Sequence, residues 1–593
     1  CLVMGLFPQI GLQYMVMPVL DSLAQGDKMV RQILPSLAAV WPPCSILLLA
    51  GSLAPLYLRD NPRQAGQAAT LVLALAAVLV FLDRQSMDML SFIFALIITV
   101  VGCANMAYSV GYMEHSHSQW RFYSFFLCMA SGLTGVAIST DIFSFFLFWE
   151  IMSSWSLYFV IVHEENEAAL REGFKYFFFN VLGAAFLFLG VILLIHWSGG
   201  GDFSLLRSAL PGLDAGQIAL ALGLMATGFV MKAAQLPLRI DIQMHPATAP
   251  TPVSGYISSV LLKSAIFGLV KLFLLLGGGL FISGTFAGFG LPQIMSAVVW
   301  IGGITIVLAG VMAVFQTDIK LVLIYSTVSQ LAYMVVGAAL GASLGVAGGL
   351  LHLVNHAFFK DLLFLVAGAV IVRTHRQSMN DLGGLGTKMP VTLAFFCIGA
   401  ACVIGLPPSS GFTSKWIIYH ALMEQGFVLV AILSLVGSVF TLAYMAKMLH
   451  SVFLGAPRPD LEEVREAPRV MLLPMGFLAA GCVITSLFPG AVLAPLNIVL
   501  TELSLEPLDV APWGINSGRG AWNATLTALL AGVAWLASSL LLKRLSGKER
   551  VTDIHSCGIP PEQLNVRTNP GDIYPTPSSL LRRWRKKQPA SGA

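Results

Sequence analysis

Long apolar runs, each broken by a short polar stretch, repeat along almost the whole chain. Read at helical length, they give fifteen segments: 32-58, 67-82, 89-113, 124-139, 142-162, 176-195, 218-238, 250-277, 291-315, 321-341, 343-372, 391-424, 427-454, 470-489 and 522-542. A helix needs about 20 apolar residues to cross the hydrocarbon core, and backbone polar groups facing lipid must be bonded within the segment. The pattern therefore predicts an all-α polytopic membrane protein. Residues 1-20 are also apolar and lack a basic flank and an initiating Met, so the 1-31 segment reads as a truncated start or an extra helix, not a signal peptide. The expected organisation is a core over 32-490, a loop at 491-521, an extra transmembrane helix at 522-542 and a basic tail over 543-593.

Composition agrees. Charged residues are 11% of the 593 and apolar residues 56%, where a soluble domain carries about 25% charge. Lys and Arg concentrate in alternate loops: Arg59 and Arg63, Arg121, Arg171 and Lys175, Arg239, Lys320, then Arg373, Arg376 and Lys388, then Arg458, Arg465 and Arg469. The intervening loops hold only Lys28 and Arg31, Arg84, Arg207 and Arg519. By the positive-inside rule the first set is cytoplasmic, and so is the tail with "RRWRKK" at 582-587. That tail reads first as an anchor for anionic headgroups.

Eight cysteines show no C-x-x-C pair, and neither a Walker loop nor a strand-borne G-x-G-x-x-G is present. Nucleotide hydrolysis and a redox centre within this chain are thus not expected. Driving energy would come from an ion gradient or from partners.

An ionisable group at mid-bilayer costs about 2.5 to 3.5 kcal/mol on the insertion scale and is by default a functional candidate. Glu150 lies in "DIFSFFLFWEIMSSWSLYFV", Lys232 in "ATGFVMKAAQLPL", Lys263 in "YISSVLLKSAIFGLVKL", Lys360 in "HLVNHAFFK" and Lys415 in "GLPPSSGFTSKWIIYHAL". Lys271 and Lys447 lie near helix ends and are expected to snorkel. Asp141 and Lys175, near span ends, are secondary candidates, as consistent with an interfacial as with a conducting role. Burial disfavours an ammonium and a nearby carboxylate restores it. At an effective dielectric near 20, opposite charges about 4 Å apart gain roughly 4 kcal/mol, so a lysine can exchange a proton as its partner moves.

His352, His356 and Lys360 stand at i, i+4 and i+8, on one helix face with about 6 Å of rise between neighbours. This ladder suits proton relay, because imidazole titrates near neutrality and has two ring nitrogens. Metal binding by H-x-x-x-H, for which no third ligand is evident, and a purely structural pair are the alternatives. Proline-rich breaks interrupt the eighth and twelfth spans, around 235-259 and at "GLPPSSGFTSK" (405-415). Transporters place broken helices at matching positions of internal repeats, with ion sites beside them. Spans 4-8 (about 124-277) and 9-13 (about 291-454) would be such repeats, and five helices each gives them inverted topologies.

In order along 89-455, "DIFSFFLFWE", "MKAAQLPL", "HPATAPTPVSGYISSVLLKSAIFGLVKL", "DIKLVLIYSTVSQLAYM", "HLVNHAFFKDLLFL" and "GLPPSSGFTSKW" resemble the antiporter-like proton-translocating membrane subunits of respiratory complex I, energy-converting hydrogenases and formate hydrogenlyases, and Mrp-type sodium/proton antiporters. The resemblance implies about 14 core helices with two inverted five-helix repeats. It also implies a Glu150-Lys232 switch, a path through Lys263 and the His352, His356 and Lys360 region, and a terminal site at Lys415. It implies a subunit that translocates protons, with sodium as a further coupling ion, and does not itself catalyse redox chemistry. Iron-sulfur, nickel-iron or quinone groups would belong to partner subunits, including a peripheral redox arm in a cell inner membrane complex. The loop "MHPATAPTPVS" leans toward the hydrogenase type. A redox-independent sodium/proton antiporter and a scaffold anchoring a peripheral arm are the competing functions.

Overall fold

The computed structural model describes residues 41–275, 291–517 and 520–545 and position 573. The 1-31 segment and the tail beyond 545, "RRWRKK" included, lie outside the described residues. Apart from one small sheet, the described chain is helices joined by short loops. In chain order they are α1 (Pro43–Tyr57), α2 (Pro62–Leu82), α3 (Met89–Tyr112), α4 (Gln119–Ile138), α5 (Ile142–Ile161), α6 (Glu167–Ser198), α7 (Ala215–Lys232), α8 (Thr251–Leu272), α9 (Leu291–Phe315) and α10 (Ile319–Ala339). There follow α11 (Ser343–Thr374), α12 in two halves (Pro390–Ile404 and Ser410–Glu424), α13 (Val428–Leu454), α14 (Arg469–Leu487), α15 (Gly490–Glu502) and α16 (Ala524–Leu545). Twelve of the described helices are long and apolar enough to cross a membrane.

Side-chain caps fix several starts. Asp88, Asp141, Asn166 and Asp318 each accept a backbone N–H from the first turn of α3, α5, α6 and α10, satisfying donors that a helix start leaves unpaired. Burial is graded. α8 is buried along its whole length, whereas the apolar window of α16 contains no buried residue. α11 is the hub, packing on α3, α8, α10, both halves of α12, α14 and α15.

The interruptions fall where Pro, Gly and Ser cluster. α5 breaks at Ser154, and α8 contains a π-helical turn at Ile257–Leu261 just before Lys263. α7 stops at Lys232, with Ala234 left-handed beyond it. The halves of α12 meet at Gly405, whose φ of 82° suits glycine.

Residues 491-521, expected as a loop, hold α15 and most of a three-stranded antiparallel sheet, β1 (Asp509–Ala511), β2 (Gly514–Ser517) and β3 (Gly520–Asn523). α15 carries Pro495 in its interior and is only 13 residues long, so its sequence looks like loop. The sheet is docked on α12: Trp522 donates to Thr413 Oγ1 at 3.0 Å and its ring lies 4.5 Å from that of Phe412.

The two five-helix runs carry matching contacts. The amide of Ile142 donates to Gly201 and that of Ile319 to Gln377; Phe203 donates to Thr140 and Met379 to Thr317. Asp141 bridges Asp202 as Asp318 bridges Ser378. Positions 140, 141 and 142 stand 177 residues before 317, 318 and 319, so the same clasp ties the start of α5 to the end of α6 and the start of α10 to the end of α11.

Candidate functional site

Amines, imidazoles and hydroxyls are buried in the bundle from α5 to α13 in two groups, one around Lys232 and one running from Lys263 to Lys415. Lys232 ends α7 and is 6% exposed. Its ammonium donates to Asn180 Oδ1 of α6 at 2.6 Å and stands 6.0 Å from the Trp149 ring. Glu150, next to that tryptophan on α5, accepts from Ser154 Oγ at 2.5 Å at the α5 break. Glu150 and Lys232 both flank Trp149 but form no direct hydrogen bond with each other. A cavity of about 10 Å³ beside Lys232 is lined by Trp149, Asn180 and Gln243 among others, about enough for one water.

Lys263, fully buried on α8, lies 2.8 Å from His356 Nδ1 and donates to the carbonyl of Ser258 within the π-helical turn. That turn displaces the backbone from regular α geometry and leaves carbonyls such as Ser258 open to a side chain. His356 and His352 have ring centroids 6.0 Å apart. His352 reaches Gln330 of α10 through Nε2 at 3.0 Å and Ser414 of α12 through Nδ1 at 2.8 Å. Lys415 follows Ser414. Its ammonium donates to the carbonyls of Val403 and Ile404 at 2.9 and 3.2 Å and to Ser438 Oγ at 3.3 Å. Those carbonyls end the first half of α12, where a helix has no donors of its own left and favours a cation. Ser438 is bonded in turn to Tyr419 at 2.8 Å and Tyr333 at 3.1 Å.

The expected ladder is thus divided. His352 and His356 continue the line, and His352 is bonded on both nitrogens. Lys360 is buried with no hydrogen-bond partner among the described residues, its ammonium 5.8 Å from the Phe364 ring. Asp141 caps α5, accepting from the Ser144 amide at 2.7 Å, and Lys175 pairs with Glu172 at 2.6 Å, partly exposed.

Two expectations are corrected. Lys271 and Lys447 do not snorkel: they are 3% and 2% exposed. Lys271 reaches Ser91 Oγ at 2.7 Å, Asp88 at 3.2 Å and the carbonyls of Ala137 and Ser139 at the end of α4. Lys447 reaches the carbonyls of Val314 and Gln316 at the end of α9. In each case the C-terminal carbonyls of a neighbouring helix accept the ammonium before it could reach an interface. Lys320, counted above among loop charges, is 2% exposed at the start of α10 and donates to the Ala249 carbonyl at 2.5 Å.

Sequence reasoning missed the neutral partners Asn180, Gln330, Ser414 and Ser438, because a search for charges passes over amides and hydroxyls. It also missed His245 and Asp361. His245 is 1% exposed with neither ring nitrogen bonded among the described residues. Asp361 is fully buried beside Lys360. The signal for Asp361 was in plain view, one residue past the ladder.

Fold and site together define a multi-pass membrane protein with a buried line of lysines and histidines crossing two helix runs. Residues 139–441 match the family model described as NADH:quinone oxidoreductase/Mrp antiporter, TM, and residues 84–123 that of the complex I chain 5 N-terminus. The chain is 31% identical over 546 residues to hydrogenase-4 component B of Escherichia coli K12, covering 85% of this chain and 79% of that protein. It is 30% identical over 498 residues to the Na(+)/H(+) antiporter subunit A1 of Staphylococcus haemolyticus, covering 78% of this chain and 58% of that subunit. A subunit of the archaeal membrane-bound sulfane sulfur reductase superposes with a TM-score of 0.82 at 25% identity, covering 92% of both chains. The chain belongs to the NADH:quinone oxidoreductase/Mrp antiporter family of membrane subunits, whose members work in multi-subunit membrane complexes.

Proposed function

We propose that this chain moves protons across the membrane within a multi-subunit complex and is driven by redox chemistry in partner subunits. The observation that carries the reading is the near-continuous polar line Lys263–His356–His352–Ser414, which leads from the buried α8 to Lys415. Hydrogen-bonded side chains of this kind are the groups through which membrane proteins relay protons. The relatives named above include a hydrogenase component and a subunit of a respiratory reductase complex, which favours redox drive.

In this reading Glu150 and Lys232 are the switch. In the arrangement seen, Lys232 rests on Asn180 and Glu150 on Ser154, which is the separated state. A closed state would bring the two together, with the one-water cavity bridging them. Lys263, His356 and His352 carry the proton on, and Lys415 is the terminal site. Lys360 takes a side position. Asp141 and Lys175 hold helix ends. The matched clasps support repeats over about 124-277 and 291-454. The chain sits in the cell inner membrane, the Lys and Arg asymmetry between loops supports a cytoplasmic C-terminal tail, and a peripheral redox arm docks through other membrane subunits.

The test uses the assembled complex in native membrane vesicles. Glu150→Gln and Lys232→Ala should each abolish proton movement coupled to the partner reaction while leaving the complex assembled. Unchanged pumping in both removes the reading. Sodium/proton exchange that persists without redox subunits would favour the antiporter instead.

A further inference from the structure

Asp361 is fully buried on α11, and the path above makes no use of it. Its Oδ1 accepts from Asn105 Nδ2 of α3 at 2.9 Å, and the same amide donates to the Pro252 carbonyl at 2.9 Å. One asparagine therefore ties the carboxyl group to the first turn of α8. On α8 itself Gly255 makes the room: a Cβ there would stand 2.7 Å from Asp361 Oδ1. The glycine sits within an ordinary helical turn, so what matters is its missing side chain, which lets the carboxyl group lie against the α8 backbone.

The second oxygen, Oδ2, has no hydrogen-bond partner among the described residues. The same holds for Lys360 Nζ, His356 Nε2 and the hydroxyls of Ser258 and Ser259. Buried polar groups are normally paired, with protein or ordered water. Five orphans on α8 and α11, the two helices that Lys263 and His356 join, mark a polar node suited to water. Gly255, against which the Asp361 carboxyl group lies, is three residues from Ser258, whose carbonyl accepts from Lys263, so the carboxyl group and the ammonium meet α8 within one turn of each other. A buried carboxylate needs a compensating cation, since the penalty for an isolated ion is several kcal/mol.

We propose that Asp361 is a second carboxylate switch, exchanging a proton with Lys263 as Glu150 does with Lys232, and that Asn105 and Gly255 are its positioning residues. This rests on the proton-path reading. The step is a proton transfer only: an N–H bond breaks at Lys263 as an O–H bond forms at Asp361 Oδ2, and the reverse step restores both. The Asn105 bond is made to Oδ1, so it survives either state and keeps the carboxyl group in place. Each five-helix run then contains one such carboxylate, and the second acts on the lysine where the two runs meet.

The experiment compares Asp361→Asn with Glu150→Gln in the assembled complex, measuring protons moved per partner turnover and infrared difference spectra on turnover. Loss of a proton-transfer group costs about a hundredfold or more, so translocation in Asp361→Asn should fall about a hundredfold, with loss of one carboxyl band that a purely structural role would leave in place. If Glu150→Gln stops translocation while Asp361→Asn pumps normally and retains every band, the second switch is overturned and the proposed function stands. If Glu150→Gln and Lys232→Ala are both silent, the proposed function falls, and the inference with it. Should Asp361→Asn fail to assemble, Asn105→Ala decides. It keeps the carboxyl group but removes a charge-assisted hydrogen bond, worth about tenfold, so it should shift the band and slow translocation about tenfold; an unmoved band at full rate overturns the proposal.

Discussion

The two five-helix runs, α4–α8 and α9–α13, are built alike and furnished differently. Lys271 on α8 binds the carbonyls of Ala137 and Ser139 at the end of α4; Lys447 on α13 binds those of Val314 and Gln316 at the end of α9. The acceptors, 137 with 314 and 139 with 316, keep the offset of 177 seen in the clasps. Each lysine is a fastener holding the last helix of its run to the first. The furnishing differs in acid. Lys271 also engages Asp88, drawing α3 onto the first run, whereas Lys447 has only carbonyls among the described residues. Glu150 of α5 has Thr327 at its matching position on α10, while the second run carries Asp361 on α11. Shared lysine–carbonyl contacts and the matched caps Asp141 and Asp318 thus maintain the scaffold, and the buried carboxyl groups Glu150 and Asp361 are where the two runs differ.

The largest expected effect tests whether the runs act as one. Lys263 on α8 and His356 on α11 make the 2.8 Å contact between them. Lys263→Ala should lower coupled translocation about a hundredfold or more with the complex intact, measured as acidification of vesicles per partner turnover. Retained translocation would mean that each run conducts alone, and the comparison would then concern two parallel channels.

A smaller effect separates the fasteners. Lys271→Met leaves Asp88 without its cation and should destabilise the detergent-solubilised protein by roughly 2 to 3 kcal/mol, discounted because Asp88 is about one-third exposed. Lys447→Met leaves only carbonyls unpaired, roughly 1 to 2 kcal/mol. Thermal unfolding of both variants measures the difference; equal shifts would remove the role assigned to Asp88.

Much of this was legible in the chain. Long apolar runs give helices because lipid leaves the backbone no alternative, and a charge within such a run stands out against its neighbours. That logic singled out Glu150, Lys232, Lys263, the His352–His356 pair and Lys415 as candidates, and the structure places them inside the bundle. It failed for Lys271, Lys447 and Lys320, because nearness to a helix end in sequence does not reveal which carbonyls a side chain meets in space. Asn180, Gln330 and Ser414 were invisible as members of the line, since neutral polar residues are common in spans and only the fold brings them beside a lysine or histidine. Asp361 escaped because it follows a lysine, where an acid reads as a local pair, although its carboxyl group turns to Asn105 on another helix.

The smallest effect concerns the turns that follow α5 and α10. His163 lies between α5 and α6, fully buried, with Nε2 3.0 Å from Ser116 Oγ and its ring stacked on His117 at 4.8 Å. Burial, helped by the Arg121 guanidinium and His117, pushes its pKa down from 6.5 to about 4. The matching position in the second run is Leu340, which does not titrate. As pH falls from 6.5 toward 4, the opened turn takes up a proton that the closed turn refuses, so stability present above 6.5 is progressively lost, with a ceiling of about 3 kcal/mol. Hydrogen exchange over 162-166 should therefore quicken between pH 7 and pH 5, after correction for intrinsic rates, while exchange over 340-342 should not. His163→Gln should flatten the first response. Equal acid sensitivity of the two turns would show that the acid response belongs to the whole bundle and that the buried imidazole is not what distinguishes the first run.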